Sequence, residues 1–145
     1  MKRKKSREIA VQLLFAAEAQ EQNPARLAEI QADRLVRDYY ASFGQSLSKD
    51  HVDEAHLMRL LQGTLSNVEE LDEKIESASK HWKLYRMTRI DRNILRLGAY
   101  ELLFIKDTPP KVVLDEAVEL AKKFGSEDSF AFINGILDHL SHEKA

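Results

Sequence analysis

At 145 residues, 43% of them hydrophobic and 8% aromatic, the chain is long and apolar enough for one domain with a proper core. It has no cysteine, which excludes a disulfide framework and any thiolate metal site. The net charge of -2 hides an asymmetry: "MKRKKSR" holds Lys2, Arg3, Lys4, Lys5 and Arg7, five of the 22 basic residues and no acid, which leaves 17 basic side chains against 24 acidic ones.

A cationic arm on an acidic body reads either as a local phosphate-binding element or as a solvated, frayed terminus. No apolar run approaches the roughly 18–20 residues that span a bilayer. The basic and then amphipathic N-terminus lacks the apolar stretch of a secretory signal, so the expectation is a cytoplasmic protein.

Glycine and proline are scarce and helical spacing dominates the chain. Ser6 is the expected N-cap of a first helix whose stripe is Ile9, Ala10, Leu13, Leu14 and Ala17, with Val11 and Phe15 outside it. Asn23-Pro24 starts a second, Asn as cap and Pro at the first helical position, carrying Leu27, Ile30, Leu35 and Val36. Gly44 opens a polar linker, "GQSLSKD". Ser48 or Asp50 then caps a long helix from Val52 to Ile75, which Gly63 and Asn67 could kink or split. Trp82 reads as a core plug joining two halves. The helix from about Arg89 to Lys106 is strongly apolar and "DTPP" stops it. Val113, Ala117, Leu120, Ala121 and Phe124 line the next, which Gly125 ends in a left-handed cap. The expected fold is all-α, six to seven helices in two small packed bundles of one domain over 1–145: a basic arm (1–7) and helical subdomains of about 8–80 and 81–145.

Catalysis finds no foothold. None of the five histidines has metal-ligand spacing, and His51 with Asp53, or His139 with His142, reads as a surface pair. There is no phosphate-cradling glycine loop and no nucleophile elbow. The expectation is no catalytic residue, no metal and no cofactor.

Binding does find a foothold, in "GSEDSFAFINGILD". Ser126 can cap the last helix, whose first turn then holds Glu127 and Asp128, acids suited to the positive end of the helix dipole. At about 100° per residue Phe130, Ile133, Leu137 and Leu140 share one stripe, and Phe132 lies roughly 110° from its centre. Phe130 is therefore assigned to the core. Phe132 is either packed by a neighbouring helix or left for an outside partner. Single-stranded RNA is read by stacking bases on aromatic faces while cations hold phosphates, and Phe15, out of its own stripe, is a second such platform.

The segments "SREIAVQLLFAAE", "RIDRNILRLGAYELLF" and "TPPKVVLDEAVELAKKFGSEDSFAFINGILD" closely resemble the NusB transcription antitermination family, nearly end to end. The resemblance implies an all-α fold of two helical bundles and a non-enzymatic role. It implies pairing with NusE, a small-subunit ribosomal protein, binding of boxA RNA in nascent transcripts, notably of ribosomal RNA operons, and loading with other Nus factors onto RNA polymerase. Matched by motif, the RNA face comprises Arg3, Lys4, Lys5 and Arg7 of the arm, Phe15, Asp128 and Phe132. Asp91 is implied on the NusE-facing surface. Other readings are a helical accessory domain, related to those fused ahead of RNA methyltransferases, and a dimerisation module, since some family members form homodimers that mask the RNA face. The chain has no glycine-rich cofactor segment of a methyltransferase.

Overall fold

The computed structural model describes residues 2–43, 52–80 and 83–143. The expected linker, its Ser48 or Asp50 cap, His51 and Trp82 lie outside these residues. The described residues form eight α-helices and one 3-10 turn: α1 (Lys2–Gln20), α2 (Pro24–Leu27), α3 (Ala32–Phe43), α4 (Glu54–Ser66), α5 (Val68–Ala78), the turn Leu84–Arg86, α6 (Arg89–Phe104), α7 (Pro110–Phe124) and α8 (Ser129–Glu143). There are more pieces than the spacing predicts because two expected helices are each broken once. Asn67 divides the long one: its side chain turns back to donate to the Gly63 carbonyl at 2.7 Å, and its backbone leaves the helical region. Asn23 does cap α2, accepting from the Ala25 amide at 2.9 Å, but that helix lasts one turn before α3 begins.

The start of the chain also differs from expectation. Helix α1 runs from Lys2, so the basic run is its first two turns and not a free arm. Ser6 caps nothing. It is buried, donates to the Arg3 carbonyl at 2.8 Å and lies 2.6 Å from His56 Nδ1. The stripe Ile9, Ala10, Leu13, Leu14 and Ala17 is buried as expected, and Val11, placed outside it by the spacing, is fully buried too. The cause is that α1 is covered on two sides, by α4 and by α6.

Helix α6 is the axis of the fold, packing against α1, α4, α5, α7 and α8. Thr88 caps it, accepting from the Asp91 amide at 3.2 Å, and Ile94, Leu95, Leu97 and Leu102 are almost completely buried. Removing four such side chains from water stabilises the fold by roughly 1.5–3 kcal/mol each. Close approach of α4 needs Gly63, where an added Cβ would fall 2.0 Å from the Tyr100 ring. One hydrophobic cluster runs from Ile9 on α1 to Leu140 on α8.

Candidate nucleic-acid interface

Two ion-pair clusters lock α1 against α6. Arg7, Val11, Leu14 and Glu18 recur every three or four residues on α1 and all are buried, so a single helical stripe carries them. At one end Arg7 grips both carboxylate oxygens of Glu101, with Nε donating at 2.8 Å. His56 Nε2 lies 3.4 Å from the same carboxylate. Burial by itself would push the Glu101 carboxyl up. The hydrogen bonds from Arg7 and His56 outweigh it and hold the group at about 2. Arg7, expected on the RNA face, is therefore an interior residue, 5% exposed. The basic run continues as helix, and its rotation carries Arg7 inward while Lys4 and Lys5 stay outside.

At the other end Glu18, 3% exposed, accepts from Arg92 at 2.8 Å and from Asn93 at 2.9 Å, and pairs with Arg96 at 3.2 Å. Burial opposes its ionisation, but Arg92 and Arg96 prevail and hold it below its ordinary value. Arg96 also forks onto Asp72, at 2.7 and 2.9 Å. Burial still pushes the Asp72 carboxyl up.

Asp91 is likewise interior, at 1% exposure. Its carboxylate accepts from the amide of Ser126 at 3.2 Å and from the Ser126 hydroxyl. The expectation that Asp91 meets a partner protein on the surface is corrected: it ties the start of α6 to the α7–α8 turn. Ser126 is spent on this contact and does not cap α8, which begins only at Ser129. Gly125 is not left-handed, with φ -78°. It is glycine because a Cβ there would lie 2.6 Å from Asp91 Oδ1 and 2.5 Å from Ser129 Oγ. The left-handed residue is Asp128, with φ 63°, a conformation that Asp tolerates better than most side chains.

The aromatic assignments of α8 change as well. Phe130, expected in the core, is exposed, with Lys122 Nζ 5.4 Å from its ring centre. Phe132, for which packing by a neighbouring helix was one of the two expected placements, is half-buried and packed against the core. The buried stripe is Ser129, Ile133, Ile136, Leu137 and Leu140, so its centre lies between the two phenylalanines and they flank it on opposite sides. The spacing misplaced the centre because it gave weight to Phe130 and none to Ser129.

The outward cations and rings lie along α1, at the start of α6 and on α7 and α8. Lys4 reaches Glu116 of α7 at 3.7 Å and Lys5 reaches Glu8 at 3.8 Å. Lys123, more than half exposed, reaches Glu8 from α7 at 3.0 Å. Phe15 is exposed further along α1, with the Arg89 guanidinium 5.6 Å from its ring centre. Arg3 is held apart from this set by Asp53 at 3.5 Å and Asp107 at 3.4 Å. Its hydrogen bond with Asp107 raises the Arg3 guanidinium further and lowers the Asp107 carboxyl. Arg89, Lys122, Lys123 and Phe130 were missed by sequence reasoning. Only "KKFG" offered a signal, two lysines beside an aromatic; Arg89 meets Phe15 across 74 positions of chain, which no local pattern shows.

Among the described residues no group of three or more His, Cys, Asp or Glu is placed to hold a metal ion, and no helix is long and apolar enough to cross a membrane. The surface offers cations and aromatic rings, the two group types that hold nucleic-acid phosphates and bases.

Residues 4–142 match the model of the NusB family. The transcription antitermination protein NusB of Desulfosudis oleivorans is 38% identical over 141 residues, covering 97% of this chain and 86% of that protein. Among solved structures, NusB of T. maritima superposes with a TM-score of 0.80 at 32% identity, covering 100% of this chain and 94% of that one. The chain of a complex of antitermination factors NusB and NusE with double-stranded RNA superposes with a TM-score of 0.75 at 26% identity, covering 97% of this chain and 96% of its own. With the family model covering nearly the whole sequence and the all-helical fold in agreement, the chain belongs to the NusB family.

Proposed function

We propose that this chain is an RNA-binding transcription antitermination factor that works as a heterodimer with NusE on boxA-type RNA in nascent transcripts. In this reading the whole chain acts as one binding unit in the cytoplasm and joins RNA polymerase with other Nus factors. It catalyses no reaction and takes no cofactor. One observation carries the proposal: exposed Phe15 and Phe130 each have a cation beside the ring, while Lys4 and Lys5 lie on the helix that carries Phe15 and Lys123 follows the Lys122 that covers Phe130. Stacking one base on an aromatic side chain contributes about 1–3 kcal/mol, enough to matter where the body of the protein is acidic and phosphate contacts are few. The solved complex of NusB and NusE with RNA supports RNA and NusE as the partner classes.

On this face Lys4 and Lys5 take phosphates, and Phe15 offers a stacking surface. Asp128 and the half-buried Phe132 shape its edge at the start of α8. Arg3 contributes less, because two carboxylates already engage it. Arg7 and Asp91 act from the interior, by fixing α1 and the α7–α8 turn.

The test is a titration of boxA-type RNA against a scrambled control, with and without NusE. Tighter binding of the boxA sequence by the pair is the expected result. Equal affinity for both RNAs in the presence of NusE would sink the proposal.

A further inference from the structure

The cluster around Glu18 leaves one guanidinium over. Two carboxylates, Glu18 and Asp72, face three arginines of α6. Arg96 takes both oxygens of Asp72, and Arg92 and Arg96 together engage Glu18 at 2.8 and 3.2 Å. Arg89 is left with a 3.8 Å contact to Glu18, beyond hydrogen-bond reach, and its Nε is shut off from solvent with no partner. No other carboxylate among the described residues pairs with it. Its side chain is 36% exposed and lies over the exposed ring of Phe15. A cation with no acid committed to it thus stands on an aromatic surface open to solvent.

This combination selects among anions. A guanidinium presents a planar fork that suits a phosphate, and the ring beneath it suits a base. A nucleic-acid strand supplies both groups one nucleotide apart, which a free anion or an acidic peptide does not. We propose that Arg89 is an RNA-contacting residue that takes a backbone phosphate while the adjoining base stacks at Phe15. The assignment rests on the RNA-binding reading above and adds a residue to it.

The experiment is a salt series of boxA-type RNA binding to the full chain paired with NusE, using wild type, Arg89→Gln, Arg89→Lys and Phe15→Ala. Arg89→Gln raises Kd about five- to tenfold and makes the log Kd against log salt slope shallower by about 0.7, the share of one single-strand phosphate. Arg89→Lys keeps the slope and loses part of the affinity, because it retains the charge without the fork. Thermal melting of both variants stays at wild type, since Glu18 keeps Arg92 and Arg96. An unchanged slope and affinity in Arg89→Gln, with Phe15→Ala still weakened, overturns the Arg89 assignment and leaves the RNA reading standing. No RNA binding by wild type overturns both. Weaker NusE association in Arg89→Gln, with an unchanged RNA salt slope, makes Arg89 a protein contact and also overturns the assignment.

Discussion

Arg7 of α1 and Glu101 of α6 form a two-pronged ion pair sealed inside the protein, at the far end of the helix contact from Glu18 and Arg92. The signs alternate: base on α1 with acid on α6 at one end, acid on α1 with base on α6 at the other. Reversing either helix would set like charges together, and sliding one would leave buried charges unpaired, so the two pairs specify an antiparallel register.

Breaking the pair from one side leaves a bare buried charge. Arg7→Ala is expected to lower the unfolding free energy by about 3–5 kcal/mol, read from urea denaturation. The double variant Arg7→Met with Glu101→Leu should lose much less than Arg7→Ala. If Arg7→Ala melts like wild type and instead only weakens RNA binding, Arg7 is a surface residue after all.

Acid should weaken the fold through Glu101. Its carboxyl is held at about 2 in the folded protein against an ordinary 4.5. A depressed carboxyl contributes stability that is fully present above the unfolded value and is lost as pH falls through the folded one. The contribution, on the order of 3 kcal/mol, therefore disappears between about pH 5 and pH 2. Glu18 acts in the same direction, while Asp72, raised by burial, acts in the opposite one. Urea midpoints measured from pH 6 to pH 3 should fall in wild type and fall less steeply in Glu101→Gln.

The two phenylalanines of α8 separate by stability. Phe132→Ala removes a ring packed on the core and should cost about 1–3 kcal/mol, below the range for fully buried Phe. Phe130→Ala should leave the melting temperature within the scatter of surface substitutions, about 0.5 kcal/mol. Equal losses in the two variants would contradict the placement of the α8 stripe.

Asp128 holds a left-handed backbone, which glycine adopts without cost. Asp128→Gly should be neutral or stabilising by up to about 1 kcal/mol, and Asp128→Val destabilising by about 1–2 kcal/mol, by thermal melting. Asp128→Asn keeps both the conformation and the fold, so any change it makes in RNA affinity reports on the charge alone.

Neutralising Lys4 and Lys5 together should lower affinity about equally for all RNA sequences and flatten the salt dependence by about 0.7 per lysine engaged on a phosphate. Sequence-dependent losses would argue for contacts to bases.

The helical class, the cap at Asn23, the stop at "DTPP", the split near Asn67 and the α1 and α7 stripes were all legible in the sequence, because they depend on residues within a turn or two of each other. Motif order was enough to indicate the family as well. What local pattern misjudged were residues whose environment comes from another helix. The resemblance implied Arg7 and Asp91 on binding surfaces, and only Glu101, 94 positions away, and Ser126, 35 positions away, draw them inside. Phe130 was misplaced because small Ser129, packed close to Gly125, lies within the buried face, which hydrophobicity alone does not show. Periodicity shows which side chains share a face of one helix. Which face is covered, and whether a charge inside it has a partner, is decided by packing between helices distant in sequence, and so by the tertiary structure alone.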